Sequence, residues 1–468
     1  MALIPIYWWN KEVHNFRISQ KSFRKQPWAN GVILLGCVVL AMLLANLPFT
    51  KEIYHNFLHT ELTAHVASPD GVIDWYFPRD MTMEKFINDI LMVVFFFTVG
   101  LEIKREVVYG ELSTPQKAIM PVIAAFGGVV MPAIIYAVIN HGTGASSGWG
   151  IPTATDIAFA VGILSVLGDK VPVSLKVFLT ALAIADDLVA ILVVALFYGG
   201  KINFFLLAIA IVLILLVMLL NKLGEKRPFF YFLPAIFIWV LFYYSGIHAT
   251  MSGVVMAFLM PMKPRYSKAY YYHKRDRFRR LLEQYDAIPE SCGFPNGPQR
   301  HVLRQLSRTS KNCIGLSYRL EHILNPWVNF CIMPIFALAN AGVTIPSLEY
   351  FNITQFSPEL GSVSMGVFLG LLLGKPLGIT LASFLAVKTK VGAMPANASW
   401  KMLFAVACLG GIGFTMSIFV DTLSFGELLP EETARLRDMG KVAVLMGSVC
   451  AGLLGSGLIH LVHKIEKA

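Results

Sequence analysis

Apolar stretches long enough to cross a bilayer as a helix recur about twelve times along the chain, separated by polar connections. Their approximate extents are 30–49, 83–104, 116–139, 147–167, 172–198, 202–221, 228–246, 247–262, 325–343, 361–387, 400–425 and 433–463. The seventh and eighth are the weakest division, because only Ser245 and Gly246 part them. The first run follows Lys11, Arg17, Lys21, Arg24 and Lys25 and has no convincing cleavage site, so it reads as a retained span and not as a removed signal peptide. The pattern predicts an all-α integral membrane protein. Its parts are a basic N-terminus over 1–29, a membrane domain over 30–463 and a short C-terminus over 464–468. The membrane domain includes an external loop at 50–82 and a long basic loop at 263–324.

Composition agrees with the pattern. Of 468 residues, 56% are hydrophobic and 15% charged, against about 45–50% and about 25% in ordinary soluble domains. A single soluble core stops growing near roughly 250–300 residues, so a soluble one-domain enzyme is excluded. Six cysteines without a CxxC pair give neither a zinc site nor a disulfide framework. HExxH and clustered histidines are absent, which removes a soluble metalloenzyme.

The charge balance fixes an orientation. Lys and Arg number 39 against 29 Asp and Glu, a formal +10. Residues 263–322 carry thirteen Lys/Arg and five Asp/Glu, and residues 1–29 carry five against one, so the rest of the chain sums to −2. Both stretches fall on the same side of a twelve-span arrangement, as do KREVVYGE, NKLGEKRP, VKTKVG and HKIEKA. The positive-inside rule makes that side cytoplasmic, with both termini inside. The expected location is a bacterial cell (inner) membrane. The excess therefore reports orientation and not nucleic-acid binding, for which no folded basic domain exists.

Four ionisable residues are expected deep in the spans: Asp156 in PTATDIAFAVG, Asp186 and Asp187 in LAIADDLVAIL, and Lys375 in LGLLLGKPLGI. Each costs about 2.5–3.5 kcal/mol at a helix centre even on the gentler insertion scale. A pair that only ties helices together is the competing reading, but a buried pair rarely stabilises more than apolar packing would. Adjacent aspartates point about 100° apart on a helix, so one can meet Lys375 while the other faces a cavity. A carboxylate reached by water there binds a proton or a small cation in competition, which is the chemistry of an exchanger. PTATD and GGIGFTMSIF also interrupt two spans at mid-depth. Close packing of small residues explains the glycine run alone, but paired breaks in the two halves of a chain point to a transport site. Span 3 starts inside and span 10 outside, so a repeat relating spans 3–5 to 10–12 would be inverted.

The chain resembles the NhaA-type sodium/proton antiporters. The resemblance rests on GLEIKRE (100–106), PTATDIAFAVG (152–162), LTALAIADDL (179–188), SGIHATMSG (245–253), LEHIL-PW (320–327), FALANAGV (336–343), LLGKPLGI (372–379) and GGIGFTMSIF (410–419), in order over about residues 83–463. It implies twelve helices in inverted repeats, with the fourth and eleventh unwound and crossing at mid-membrane. It implies that Asp187 is the main sodium ligand and proton carrier, with Asp186 beside it and paired to Lys375. Asp156 would face helix N-termini and Lys375 the C-termini, and Thr155 would add an oxygen near the ion. Sodium or lithium would leave the cell while more than one proton enters, with no cofactor. Glu102, Arg105, Glu106, Glu321 and His322 match a pH-sensing cytoplasmic funnel; a solvated helix end is the other reading of each. His248 reads equally well as a packing histidine or a sensor.

Three departures stand out. Asn325 replaces a second histidine of LEHxLHPW, Val189 follows DDL where glycine is common, and the 263–324 loop is longer than the family's short connection. The stretch YYYHKRDRFRRLLEQY in that loop reads as a surface helix against anionic lipid or as a solvated loop. The 50–82 segment lies where the family has an external hairpin used in homodimers. Against the antiporter stand a sodium-coupled solute symporter, which needs a larger polar cavity, and an intramembrane aspartyl protease, whose YD and GxGD pair is absent, GxGD occurring nowhere in the chain.

Overall fold

A computed structural model describes residues 28–62, 64–67, 74–77, 81–200, 202–286, 297–345, 361–425 and 430–467. The basic N-terminal stretch falls almost wholly outside them. The described residues form sixteen α-helices: α1 (Ala29–Asn46), α2 (Lys51–His59), α3 (Met83–Tyr109), α4 (Pro115–Ile139), α5 (Ile157–Leu167), α6 (Val173–Phe197), α7 (Phe204–Lys222), α8 (Phe229–Ser245), α9 (Thr250–Leu259), α10 (Lys268–Asp286), α11 (Gly297–Asn312), α12 (Leu316–Asn340), α13 (Val363–Lys388), α14 (Trp400–Leu409), α15 (Phe414–Ser424) and α16 (Pro430–Lys467). Besides these, short 3-10 turns at Gly144–Thr153 and Gly168–Lys170 make one span with α5. A helix closes its backbone hydrogen bonds within itself, which hydrocarbon requires.

Every one of the twelve apolar segments contains helix, but they differ in reach. Among the described residues nine helices are long and apolar enough to span, or ten when α14 and α15 count as one bent span. The other two, α8 and α9, have 17 and 10 residues. At a rise of about 1.5 Å per residue they extend about 26 and 15 Å, short of the roughly 30 Å hydrocarbon layer. Length therefore supports nine or ten spans, and the expected twelve depend on these two.

The interruptions lie where the sequence places them. A tight 3-10 helix over Gly144–Thr153 gives way to extended backbone, with Asp156 at φ −92° and ψ 102°, before α5 begins. Between α14 and α15 the chain bends by 53° at Gly410–Gly413. Wider π turns occur inside α3 (Ile87–Leu91), α12 (Val328–Ile332) and α13 (Gly370–Gly374), the last directly before Lys375. Nothing in the apolar pattern announces these turns.

The chain divides into two units. The first comprises residues up to Met92, Glu106–Gly199 and Asn329 onward. Within it α13 lies tightly on α4: a Cβ on Gly378 would sit 2.1 Å from the Gly127 carbonyl oxygen, so glycine there lets the two backbones touch. This contact fixes the helix that carries Lys375. The expected external loop contains α2 and a short antiparallel hairpin, β1 (Ala64–Ala67) with β2 (Asp74–Phe77), pairing Ala64 with Phe77 and Ala67 with Asp74.

The second unit comprises Val93–Arg105 and Gly200–Val328. Its core gathers Phe97, Leu101, Ala210, Val217, Tyr231, Ile238 and Met256. The outer side of α7 exposes Val212, Leu215 and Leu219, an apolar face suited to lipid. The 263–324 loop contains two helices, α10 and α11, and its ends are drawn together where the Arg265 and Tyr266 amides donate to the Asn312 carbonyl. The solvated-loop reading is thus replaced by helix over 268–286 and 297–312.

Candidate functional site

The two interrupted spans meet through backbone and side chain. The Asp156 amide donates to the Ile412 carbonyl at 2.7 Å, and the Thr155 hydroxyl donates to the Gly410 carbonyl at 2.8 Å. Unwinding strands donors and acceptors that a helix would satisfy, and each break supplies partners for the other. Asp156 then caps two helices. Its Oδ1 accepts from the Phe159 amide at the start of α5, and its Oδ2 accepts from both the amide and the hydroxyl of Thr415 at the start of α15. A carboxylate at two positive helix ends is favourably placed. The Phe414 amide is taken up by Ser448 Oγ of α16 at 3.1 Å.

Lys375 enters from α13 and is completely buried. Its ammonium donates to Asp186 Oδ2 on α6 and to Thr155 Oγ1, the latter at 2.5 Å. Since Thr155 passes its own hydrogen to Gly410, Lys375 reaches the carbonyl end of α14 through that hydroxyl. The π turn at 370–374 and Pro376 set the direction in which Lys375 leaves the helix. Asp187, 5% exposed, lies within electrostatic reach of the same ammonium. Asp186 Oδ1 has no hydrogen-bond donor among the described residues. The centre therefore brings together Asp186, Asp187, Lys375 and Thr155, with Asp156 on the other side of the crossing.

The remaining sequence candidates are distributed differently. Arg105 binds Glu321, which is buried, and lies 3.7 Å from Glu102. Glu106 accepts from the Glu111 amide at 3.0 Å, closing the turn after α3. The His322 ring lies parallel to Tyr318, one turn earlier on α12, with centroids 6.4 Å apart. His248 is half-buried in the turn between α8 and α9, where its carbonyl accepts from the Met251 amide.

Two residues escaped the sequence reading. Thr415 falls inside a motif already noted, but its double bond to Asp156 depends on the bend that precedes it. Asp421 adds a fifth ionisable residue to the expected four: it is completely buried on α15. Its place near the end of an apolar run makes it look interfacial in sequence. Among the described residues no group of three or more His, Cys, Asp or Glu side chains could hold a resident metal.

Residues 21–459 match the family model described as Na+/H+ antiporter 1. The chain is 41% identical over 438 residues to a Na(+)/H(+) antiporter NhaA of Oleidesulfovibrio alaskensis, covering 93% of this chain and 92% of that one. It is 40% identical over 448 residues to the Na(+)/H(+) antiporter NhaA of Helicobacter pylori, covering 96% of each. Among solved structures it shows a distant likeness to the sodium proton antiporter MjNhaP1 from Methanocaldococcus jannaschii, at 14% identity and a TM-score of 0.43, covering 92% of this chain and 98% of that one. The symporter reading finds no support among these relatives. The crossing of two broken spans and the match along nearly the whole chain lead to one assignment: this protein belongs to the Na+/H+ antiporter 1 family.

Proposed function

We infer that this chain is an electrogenic secondary transporter that exports sodium, and lithium, from the cell in exchange for protons. The observation that carries the reading is the buried group of Asp186, Asp187 and Lys375 beside two interrupted helices. A carboxylate away from bulk water holds a proton or a metal cation, but not both well. Asp187 is the sodium ligand and proton carrier, and Asp186 takes part when its bond to Lys375 opens. Two adjacent carboxylates serve one sodium ion, so more than one proton can return for each cation released, and the exchange moves net charge. Thr155 and Asp156 hold the two breaks in register.

The orientation follows from Lys and Arg: both termini and the 263–324 helices face the cytoplasm of a bacterial inner membrane. Arg105, Glu102 and Glu321, with Glu106 and His322, form the pH-responsive cytoplasmic side, and His248 serves packing or sensing. The basic helices α10 and α11 lie toward anionic lipid, and the β1–β2 hairpin offers strand edges for a homodimer. The role in the cell is sodium and pH homeostasis.

The test is a pH-gradient dequenching assay in everted vesicles, adding Na⁺, Li⁺ and K⁺ in turn. Wild type should dissipate the gradient on sodium and lithium without any organic solute, and Asp187→Asn should abolish the response. Near-normal exchange by Asp187→Asn sinks the assignment of the carrier.

A further inference from the structure

Asp421 lies six residues beyond Thr415 on α15, roughly 9 Å along the helix from the crossing. It is completely buried, and among the described residues neither carboxylate oxygen accepts a hydrogen bond. The space it occupies is made by Gly440 of α16: a Cβ there would lie 2.0 Å from Asp421 Oδ1. Three charged groups of α16 face it, Arg437, Asp438 and Lys441. The hydroxyls of Tyr136 on α4 and Tyr198 after α6 face it as well. Both hydroxyls are committed elsewhere, Tyr136 to the Ala145 carbonyl and Tyr198 to the Ser147 carbonyl, each at 2.9 Å. Phe336 of α12 covers the neighbouring Phe419 and adds no charge. Arg437 Nε, on the facing helix, likewise lacks an acceptor.

Such a carboxylate has lost its water and gained no donor. It is stable when it carries a proton, or when it closes onto the cations opposite. Arg437 and Lys441 oppose any added positive charge, but a metal cation also needs several oxygen ligands, whereas a proton needs only one oxygen. In the orientation inferred above, α15 ends and α16 begins on the outer side, which places Asp421 near the face from which protons enter.

We propose that Asp421 is a second proton-binding site of the exchanger, loaded from the outer side and separate from the Asp186–Asp187 centre. The proton comes from outer water and forms an O–H bond on one carboxyl oxygen. When it leaves, the carboxylate is balanced by Arg437 and Lys441 across the gap that Gly440 opens. The proposal rests on the antiporter reading, and its test separates the two.

Sodium-driven proton movement is measured in right-side-out vesicles at fixed internal pH while the external pH is varied, with wild type, Asp421→Asn and Asp421→Glu. Asp421→Asn should shift the midpoint of the external-pH dependence by about half a unit or more, or flatten it. The dependence on internal pH, measured in turn at fixed external pH, should be unchanged, and Asp421→Glu should restore the external profile. Coinciding external profiles for wild type and Asp421→Asn overturn the proposal. A wild type that moves no protons on sodium addition rejects the antiporter reading instead. Should Asp421→Asn fail to insert, a hydrophobic carbodiimide, which attacks protonated buried carboxyls, is applied to the wild type and its adducts are mapped by mass spectrometry. Labelling of Asp421 that falls as the pH rises supports the site, and no labelling at any pH overturns it.

Discussion

The half-helix Phe414–Ser424 has a buried carboxylate at each end, and the two are held in opposite ways. At its start Asp156 accepts from Phe159 and twice from Thr415, so its charge is spread over two helix termini. Toward its end Asp421 is equally buried and accepts no hydrogen bond among the described residues. Burial alone therefore does not decide what a carboxylate does in this protein; the number of donors aimed at it does. A carboxylate with a full set of donors is part of the scaffold. One without them is free to exchange a proton. Asp186 is intermediate, with one oxygen on Lys375 and the other without a donor among the described residues.

Substitutions can break this comparison, and the largest effect is expected at Lys375. Lys375→Ala leaves Asp186 uncompensated, a loss of about 3–5 kcal/mol by analogy with other broken buried pairs. It should appear as a large fall in the thermal midpoint of the purified protein together with weakened or uncoupled exchange. Unchanged melting and kinetics would show that the pair is not structural. Asp156→Ala comes next: it strands the Phe159 and Thr415 donors and should cost about 3 kcal/mol, measured in the same melting experiment. Thr415→Val removes the hydroxyl but keeps the amide bond, with an expected loss of about 1–2 kcal/mol. The smallest effect on melting belongs to Asp421→Asn, which replaces a carboxyl group that accepts no hydrogen bond among the described residues. If its midpoint falls as far as that of Asp156→Ala, the contrast between the two ends of the half-helix fails. On the other unit, deletion of 270–315 should preserve exchange if those helices are accessory, and complete loss with normal insertion would show that they are not.

Much of this is legible in the sequence. The unbroken apolar runs demand helices because hydrocarbon offers the backbone no partners, and PTATD and GGIGF mark the two interruptions because proline and glycine release helical hydrogen bonds. Asp186, Asp187, Asp156 and Lys375 stand out because charge is costly at those depths. The reading was weaker where length or local geometry decides. The segments at 228–246 and 247–262 looked like two spans, yet the helices within them have only 17 and 10 residues. The basic loop could be helix or coil on sequence, and the contact of Arg265 and Tyr266 with Asn312 draws together the ends of a stretch containing two helices.

By itself, then, the sequence determined that this chain is a multi-pass membrane protein with two broken spans and a small set of buried charges, since each of these follows from the transfer of a residue between water and hydrocarbon. Only the tertiary structure decided how those charges are held: that Lys375 reaches both Asp186 and Thr155, that Thr415 doubles the hold on Asp156, and that Gly440 leaves Asp421 with room and no donor among the described residues. The reason is physical. The cost of burying a charge is written in the residue, whereas the donors that offset it come from segments far away in the chain, and only their packing brings them within hydrogen-bond distance.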